Sequence, residues 1–259
     1  MDHGDWREPF SASHADLMAA QRALEWQLPL FADPIRFGRW PLSVSAAVSA
    51  RLDAATHGRW SLSPDEVRLV NGSHDGRHMF INSYTSAFAR AGHDGGCGWG
   101  CDAAANVSGY NWTSNQPIGT ASSNGWLFSY GAGIRKLLNW YAKRYPGTTF
   151  MVTENGWGNA SASAPIDDMR DEKRCNFYRD YIGNISAAVM EDGVSVAGYF
   201  AWSLLDNFEW MWGYAVRFGL VYVDYNTQTR TAKLSAKWFA KHVTTLERLP
   251  ASGQSLPVC

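Results

Sequence analysis

The chain has 259 residues and a formal net charge of -1, with 46% hydrophobic residues, enough to bury a substantial core as one large domain or two small ones. That near-neutral balance gives no electrostatic argument for a nucleic-acid or anionic-membrane partner, and no apolar run has the length of a membrane span. Aromatic residues are plentiful, with 13 Trp; flat rings stack on sugars, but their default home is packed structure, so composition raises carbohydrate as a ligand class without choosing it.

Leu17, Ala20, Leu24 and Leu28 share a helical face, and with Ser13 or Asp16 as cap the spacing predicts a helix over residues 13–30, running into Phe31-Ala32-Asp33-Pro34. A second helix is predicted over 44–52, after Pro41. Ser63-Pro64-Asp65-Glu66 has the form of a helix start and predicts a third within 61–70. Residues 79–84 read as a strand. The polar, glycine-rich segment 91–125 follows; a loop this long in a compact domain is commonly a functional rim or a disordered stretch, and it is expected to be mobile.

Ile134, Leu137, Leu138 and Tyr141 mark a helix that stops at Pro146-Gly147, and the β-branched and aromatic run 148–153 is then a strand. Phe177, Tyr181, Ile185 and Val189 mark the next helix, ending before Glu191-Asp192-Gly193. Residues 194–202 form a nearly continuous apolar strand, expected to be buried on both faces as in a parallel sheet. A last helix over 235–246 precedes a tail, 250–259, expected to be flexible. The alternation of helices and strands indicates an α/β domain with parallel strands and no dividing linker, so residues 1–259 are read as one domain.

The four cysteines, Cys97, Cys101, Cys175 and Cys259, are too few and scattered for a small disulfide scaffold. His93, Cys97 and Cys101 are evenly spaced in a glycine-rich stretch, but the two-residue cysteine spacing of metal sites is absent, and a local disulfide or free thiols fit better. Five Asn-X-Ser/Thr sequons, at Asn71, Asn106, Asn111, Asn159 and Asn184, are glycosylation acceptors only in a secretory pathway. The amino end, Met-Asp-His-Gly-Asp-Trp, does not read as a signal peptide, and the compartment stays open.

Two stretches carry chemistry. In Thr148 to Gly158 a buried strand gives way at once to Glu154, Asn155 and Gly156, the strand-end position at which barrel enzymes keep catalytic residues; on this stretch alone, Glu154 also fits an exposed glutamate opening a surface loop. In Tyr199 to Asp224 a strand ending in Trp202 enters a loop presenting Asp206, Asn207, Glu209, Trp210 and Trp212. That loop mixes aromatic platforms with fixed acceptors, which is what sugar C–H faces and hydroxyls require. An aromatic core with acids at its surface would read the same way.

Val152-Thr153-Glu154-Asn155-Gly156, Trp202-Ser203-Leu204-Leu205-Asp206-Asn207-Phe208-Glu209-Trp210 and Arg217-Phe218-Gly219-Leu220 together resemble glycoside hydrolase family 1. So do Asp5-Trp6-Arg7-Glu8-Pro9, Ala19-Ala20-Gln21-Arg22-Ala23-Leu24, Phe31-Ala32-Asp33-Pro34-Ile35 and Asn82-Ser83-Tyr84-Thr85-Ser86. The resemblance covers nearly the whole chain and is weakest in residues 91–125. It implies the carboxyl-terminal part of a (β/α)8 barrel, from after strand 5 through strand 8 and the final helix. It further implies a retaining β-glycosidase, of β-glucosidase type first, with Glu154 as nucleophile and Tyr84 orienting it. Asn82, Trp202, Glu209, Trp210 and Phe218 would bind substrate.

The implied ligand is a β-glycoside or oligosaccharide, and neither a cofactor nor a metal is implied. The family's acid/base lies in an Asn-Glu-Pro motif at the end of the fourth barrel strand, and no Asn-Glu-Pro occurs here; Glu8-Pro9 belongs to the segment after strand 5. A catalytically inactive sugar- or partner-binding remnant of the same fold is therefore the alternative. Ser83 stands where a tyrosine is usual, Gly131 where a proline is, and the approach through residues 73–79 is longer and more polar. Three barrel strands without the rest leave open edges and an uncovered apolar face. That predicts an association-prone or partly molten chain, whose partner is a complementary amino-terminal half or another copy.

Overall fold

The computed structural model describes residues 2–56, 61–74, 76–92, 103–160, 165–243 and 259. Strands β1 (Asp2–His3) and β2 (Trp6–Pro9) precede four helices, α1 (His14–Glu25), α2 (Leu28–Phe37), α3 (Leu42–Thr56) and α4 (Pro64–Val70). Then come β3 (His78–Asn82), β4 (Ser86–Ala91), β5 (Ala105–Ser108), β6 (Thr120–Ala121) and β7 (Phe128–Ser129). Helix α5 (Gly131–Arg144) leads into β8 (Thr149–Asn155), β9 (Asn159–Ala160), α6 (Pro165–Met169), α7 (Glu172–Met190) and β10 (Val196–Ala201). The described elements end with β11 (Val216–Arg217), β12 (Val221–Val223), β13 (Arg230–Ala232) and α8 (Leu234–His242).

The main sheet has the order β1-β3-β8-β10, every neighbour pair parallel, and among the described residues it does not close. Its helices lie on one face. Ile81, Phe150 and Val152 point from the strands into a core completed by Leu137, Leu138 and Tyr141 of α5 and Phe177, Tyr181 and Ile185 of α7, all buried. These are the residues whose three- and four-residue spacing marks the two helices in the sequence. The alternate residues Thr149, Met151 and Thr153 turn the other way and are only half-buried.

Strand β10 departs from its expected burial. Of the apolar stretch 194–202 only Val194 is buried on the helix side, while Phe200 is 57% exposed on the other. The continuous apolar run suits a two-sided environment, but the described residues supply one side.

The helix predicted over 13–30 is two helices. Ser13 caps α1, its Oγ accepting from the Asp16 backbone N–H at 3.2 Å. The break falls at Trp26 and Gln27, whose side chain clamps the β1–β2 turn by accepting from the Asp5 N–H at 2.8 Å and donating to the Asp5 carbonyl at 3.0 Å. Pro29 opens α2, whose end is set by Gly38 at φ +67°. The start at Ser63 is a reciprocal capping box with Glu66.

The segment 91–125 is not a plain loop. Residues 93–102 lie outside the described residues, but β5 pairs antiparallel with β4 and β6 with β7. Strand β4 also pairs parallel with β2 to make a second, three-stranded sheet. Helix α1 covers it through a buried cluster of alanines, Ala19, Ala20 and Ala23 against Ala89, Ala103 and Ala105, with half-buried Trp26 and Val107 at its margin. Alanine carries little strand signal, which hid these pairings from sequence reading. The tail 250–258 lies outside the described residues, but Cys259 is disulfide-bonded to buried Cys175 of α7, 84 residues away. Cys97, Cys101 and His93 fall outside the described residues.

Candidate active site

The site is built where β3, β8 and β10 end. Asn82 of β3 pairs with Glu154 of β8, and the Ser83 N–H donates to the Glu154 carbonyl at 3.0 Å. The chain then turns so that the Tyr84 hydroxyl donates to Glu154 Oε2 at 2.7 Å. Tyr84 is buried; burial first, then its bond to the carboxylate, push the phenol far above its ordinary pKa, so it remains a donor throughout the working range. A buried donor at this distance fixes the carboxylate rotamer, while Glu154 itself stays half-exposed and open to a ligand.

Tyr84 is held in turn by Asp5, a buried carboxylate whose Oδ1 accepts from the backbone N–H of Tyr84 at 2.9 Å and of Thr85 at 3.1 Å. Sequence reading missed Asp5 as part of the site; its one signal is its place at the head of Asp5-Trp6-Arg7-Glu8-Pro9. Asn82 lies beside Glu154 and accepts at Oδ1 from Thr153 Oγ1 at 2.8 Å. Behind them, fully buried Asn155 donates to the Ser83 carbonyl at 2.6 Å and accepts from the Tyr199 hydroxyl at 2.6 Å, joining all three strand ends.

Trp202 follows β10, its backbone N–H donating to the Asn155 carbonyl at 2.8 Å, and the Trp202-Ser203 peptide is cis. The approach is so close that a Cβ on Gly156 would sit 1.8 Å from the Trp202 carbonyl oxygen, which explains the glycine two residues after Glu154. Buried Glu209 accepts a hydrogen bond from the Trp202 side chain. Burial raises the Glu209 pKa, the Trp202 bond opposes this, and the charge of Glu154 adds to the rise, so the two carboxylates share one electrostatic field. Phe218 is buried against the Tyr84 ring, edge-on at 6.1 Å, and Trp126 meets the other side at 6.0 Å. Trp126, from the segment read as a mobile loop, is a second wall residue the sequence did not reveal.

Trp210 stands apart, 77% exposed on a single 3-10 turn at the rim. Asp206 is also placed differently from its sequence reading, which has the loop presenting it to a ligand. It is buried, accepting from Arg217 Nη1 at 2.8 Å, Lys233 Nζ at 2.7 Å and the Gly219 N–H at 2.9 Å. It locks the loop bearing Glu209 to the base of α8. Burial, then the nearby Arg174 charge, bring the Lys233 ammonium down to about 8 despite Asp206.

Gly131, in place of the family's usual proline, donates its N–H to Asp180 Oδ2 at 2.9 Å, a bond proline lacks. Among the described residues no three His, Cys, Asp or Glu side chains are grouped to hold a metal, and no helix is long and apolar enough to cross a membrane.

The family model described as Glycosyl hydrolase family 1 matches residues 1–247. The chain belongs to glycosyl hydrolase family 1. Beta-glucosidase 34 of Oryza sativa subsp. japonica is 39% identical over 240 residues, 90% of this chain and 45% of the relative. Beta-glucosidase 1B of Phanerodontia chrysosporium is 39% identical over 249 residues, 93% and 43% of the two chains. Among solved structures, a rice β-glucosidase superposes with a TM-score of 0.81 at 36% identity, over 90% of this chain and 48% of that one. The β-glucosidase of the fungus Humicola insolens in complex with glucose gives 0.80 at 37% identity, over 91% and 48%. The chain thus spans about half the length of the family 1 relatives it matches, as their carboxyl-terminal part.

Proposed function

We propose that this family 1 chain is the carboxyl-terminal part of a (β/α)8 barrel, its sheet supplying the last strands, and that it carries the nucleophile half of a retaining β-glucosidase site. The observation behind this reading is the setting of Glu154: a strand-end glutamate held by a buried tyrosine donor at 2.7 Å, beside Trp202 and the sugar-binding type of acceptor that Glu209 offers. In the first step a Glu154 oxygen bonds to the anomeric carbon as the bond from that carbon to the leaving oxygen breaks. The oxygen of a water then bonds to the anomeric carbon as its bond to the Glu154 oxygen breaks, which releases the sugar, restores the carboxylate and gives one water proton to solvent.

A retaining site needs a second carboxyl group roughly 5 Å away to protonate the leaving oxygen. No Asn-Glu-Pro is present to supply it, and Glu209 is engaged with Trp202. The reactive substrate for this chain is therefore one whose leaving group departs as a stable anion.

The test is incubation with a 2-deoxy-2-fluoro-glucoside bearing a dinitrophenyl group. The expected result is a glycosyl mass increment on the Glu154 peptide and none in Glu154→Gln. Absence of label in the chain, with a full-length relative labelled in parallel, overturns the reading and leaves the second one, a sugar- or partner-binding remnant without turnover, which the missing acid/base motif favours.

A further inference from the structure

The fold places the asparagines of the five Asn-X-Ser/Thr sequons in different settings. Asn106 lies in β5 opposite Arg90 of β4, and its Ser108 continues the same ladder opposite Phe88. Asn184 lies within α7, its Nδ2 donating to the Asp180 carbonyl at 2.9 Å and to Asp180 Oδ1 at 3.1 Å, and its Ser186 is buried. Asn159 of β9 pairs with Arg217 of β11 and accepts from Ser123 Oγ at 3.3 Å. Asn71 is exposed at the end of α4, but extended at ψ 119°, and the Ser73 N–H is held by the Val70 carbonyl at 3.1 Å.

Asn111-Trp112-Thr113, alone of the five, ends in threonine. It sits at the tip of a hairpin closed by the Tyr110–Pro117 bridge and by the Asn111 N–H donating to the Gln116 carbonyl at 2.8 Å. Asn111 Oδ1 accepts from the N–H of Thr113 at 2.9 Å and of Ser114 at 3.0 Å, an Asx turn that curls exposed Thr113 back over the asparagine. Its oxygen is thereby turned inward, and among the described residues its Nδ2 makes no hydrogen bond. The residue between them is anchored: Arg90 stands over the Trp112 ring at 4.3 Å, and Phe10 meets it edge-on at 5.4 Å.

We infer that Asn111 is the site at which the folded chain takes an N-linked glycan. The Cys175–Cys259 disulfide suits an oxidising compartment, and the secretory pathway is where this motif is read. The donor is an oligosaccharide carried on a polyprenyl diphosphate. Asn111 Nδ2 bonds to the anomeric carbon as the bond from that carbon to the diphosphate oxygen breaks; the nitrogen gives one proton to the transferase, and the lipid diphosphate leaves as an anion. The turn offers the amide nitrogen and the threonine hydroxyl together without unfolding. At the other sequons a strand, a helix or a held turn must open first, and the rate falls with the open fraction. None of this depends on turnover at Glu154.

The test treats the purified, oxidised chain with a single-subunit eukaryotic oligosaccharyltransferase and a polyprenyl-diphosphate chitobiose, and reads transfer at each sequon by peptide mass spectrometry. Unstructured peptides carrying the same sequons give each rate without the fold. The expected result is transfer to Asn111 less than about tenfold below its peptide, and at least about tenfold below the matching peptide at Asn71, Asn106, Asn159 and Asn184. Thr113→Ala, which keeps the asparagine and the turn's backbone donor, abolishes the label at Asn111. Asn111 protected beyond that limit, an Asn111 peptide that is no substrate, or any other sequon less protected than that limit overturns the proposal.

Discussion

Replacing Asp206 by Asn keeps its volume and removes its charge, and the structure sets the size of the effect. The Asp206 carboxylate faces Lys233 at 2.7 Å and Arg217 at 2.8 Å, all three buried. With its proton held at about 8 in the fold, against 10.5 ordinarily, Lys233 already opposes folding at pH 7 by about 3 kcal/mol. Losing Asp206 drives that proton off, and full neutralisation caps the lysine's share at about 5 kcal/mol, an added cost of about 1–2 kcal/mol. Arg217 cannot escape by deprotonating; its weakened charged bond adds another ~1–2 kcal/mol.

The expected total is about 3 kcal/mol, or ~6 °C in thermal midpoint for a chain of this length. Because the lysine's folded pKa is lowered, the unfolded chain binds more protons between pH 8 and 10.5, so this group makes stability rise with pH across that window. Thermal melts at low protein concentration, from pH 7 to 10, read both effects. Lys233→Met in the Asp206→Asn background restores part of the loss. An Asp206→Asn midpoint within 2 °C of the parent (under ~1 kcal/mol), or no recovery in the double variant, refutes the reasoning.

Tyr84→Phe removes a charge-assisted bond to Glu154 worth about 1.5–3 kcal/mol, so fluoroglucoside labelling slows roughly ten- to a hundredfold; an unchanged labelling rate would contradict the orienting role. Burial raises the Glu209 pKa, so glucose binding, followed by tryptophan fluorescence, weakens on acidification at a pH above the ordinary carboxylate range, and Glu209→Gln abolishes that step. For the same reason the folded state holds that proton more tightly than the unfolded chain. The stability contribution is therefore lost as pH rises through the raised pKa, and Glu209→Gln flattens this slope. Gly156→Ala forces a Cβ against the Trp202 carbonyl, and the near-ultraviolet circular dichroism of the displaced indole should fall with ~1–3 kcal/mol of stability; an unaltered spectrum argues against that contact.

The helix–strand grammar around Glu154 was legible because its periodicities are strong: Ile134, Leu137, Leu138 and Tyr141 of α5, then Phe150 and Val152 of β8, lie buried as their spacing requires. The strand-end position of Glu154 follows from the same pattern. Its link to Tyr84 came only from the family resemblance, since 70 residues separate them and no local pattern joins residues so far apart. Asp5 and Trp126 escaped altogether. A lone aspartate in a turn and a tryptophan in a polar segment carry no periodic signal, and their roles arise from tertiary placement. Asp206 looked like a sugar ligand because charge in an aromatic loop is ambiguous until its partners, Arg217 and Lys233, are in place.

The bond between Cys175 and Cys259 divides the molecule topologically. The backbone from α7 to the final residue becomes a covalent ring, and Trp202, Glu209 and Phe218 all ride on it. Glu154 and Tyr84 lie on the linear stretch before it. A nucleophile on an open thread thus meets walls carried on a closed loop, and a peptide bond cut anywhere inside that loop leaves the chain in one piece.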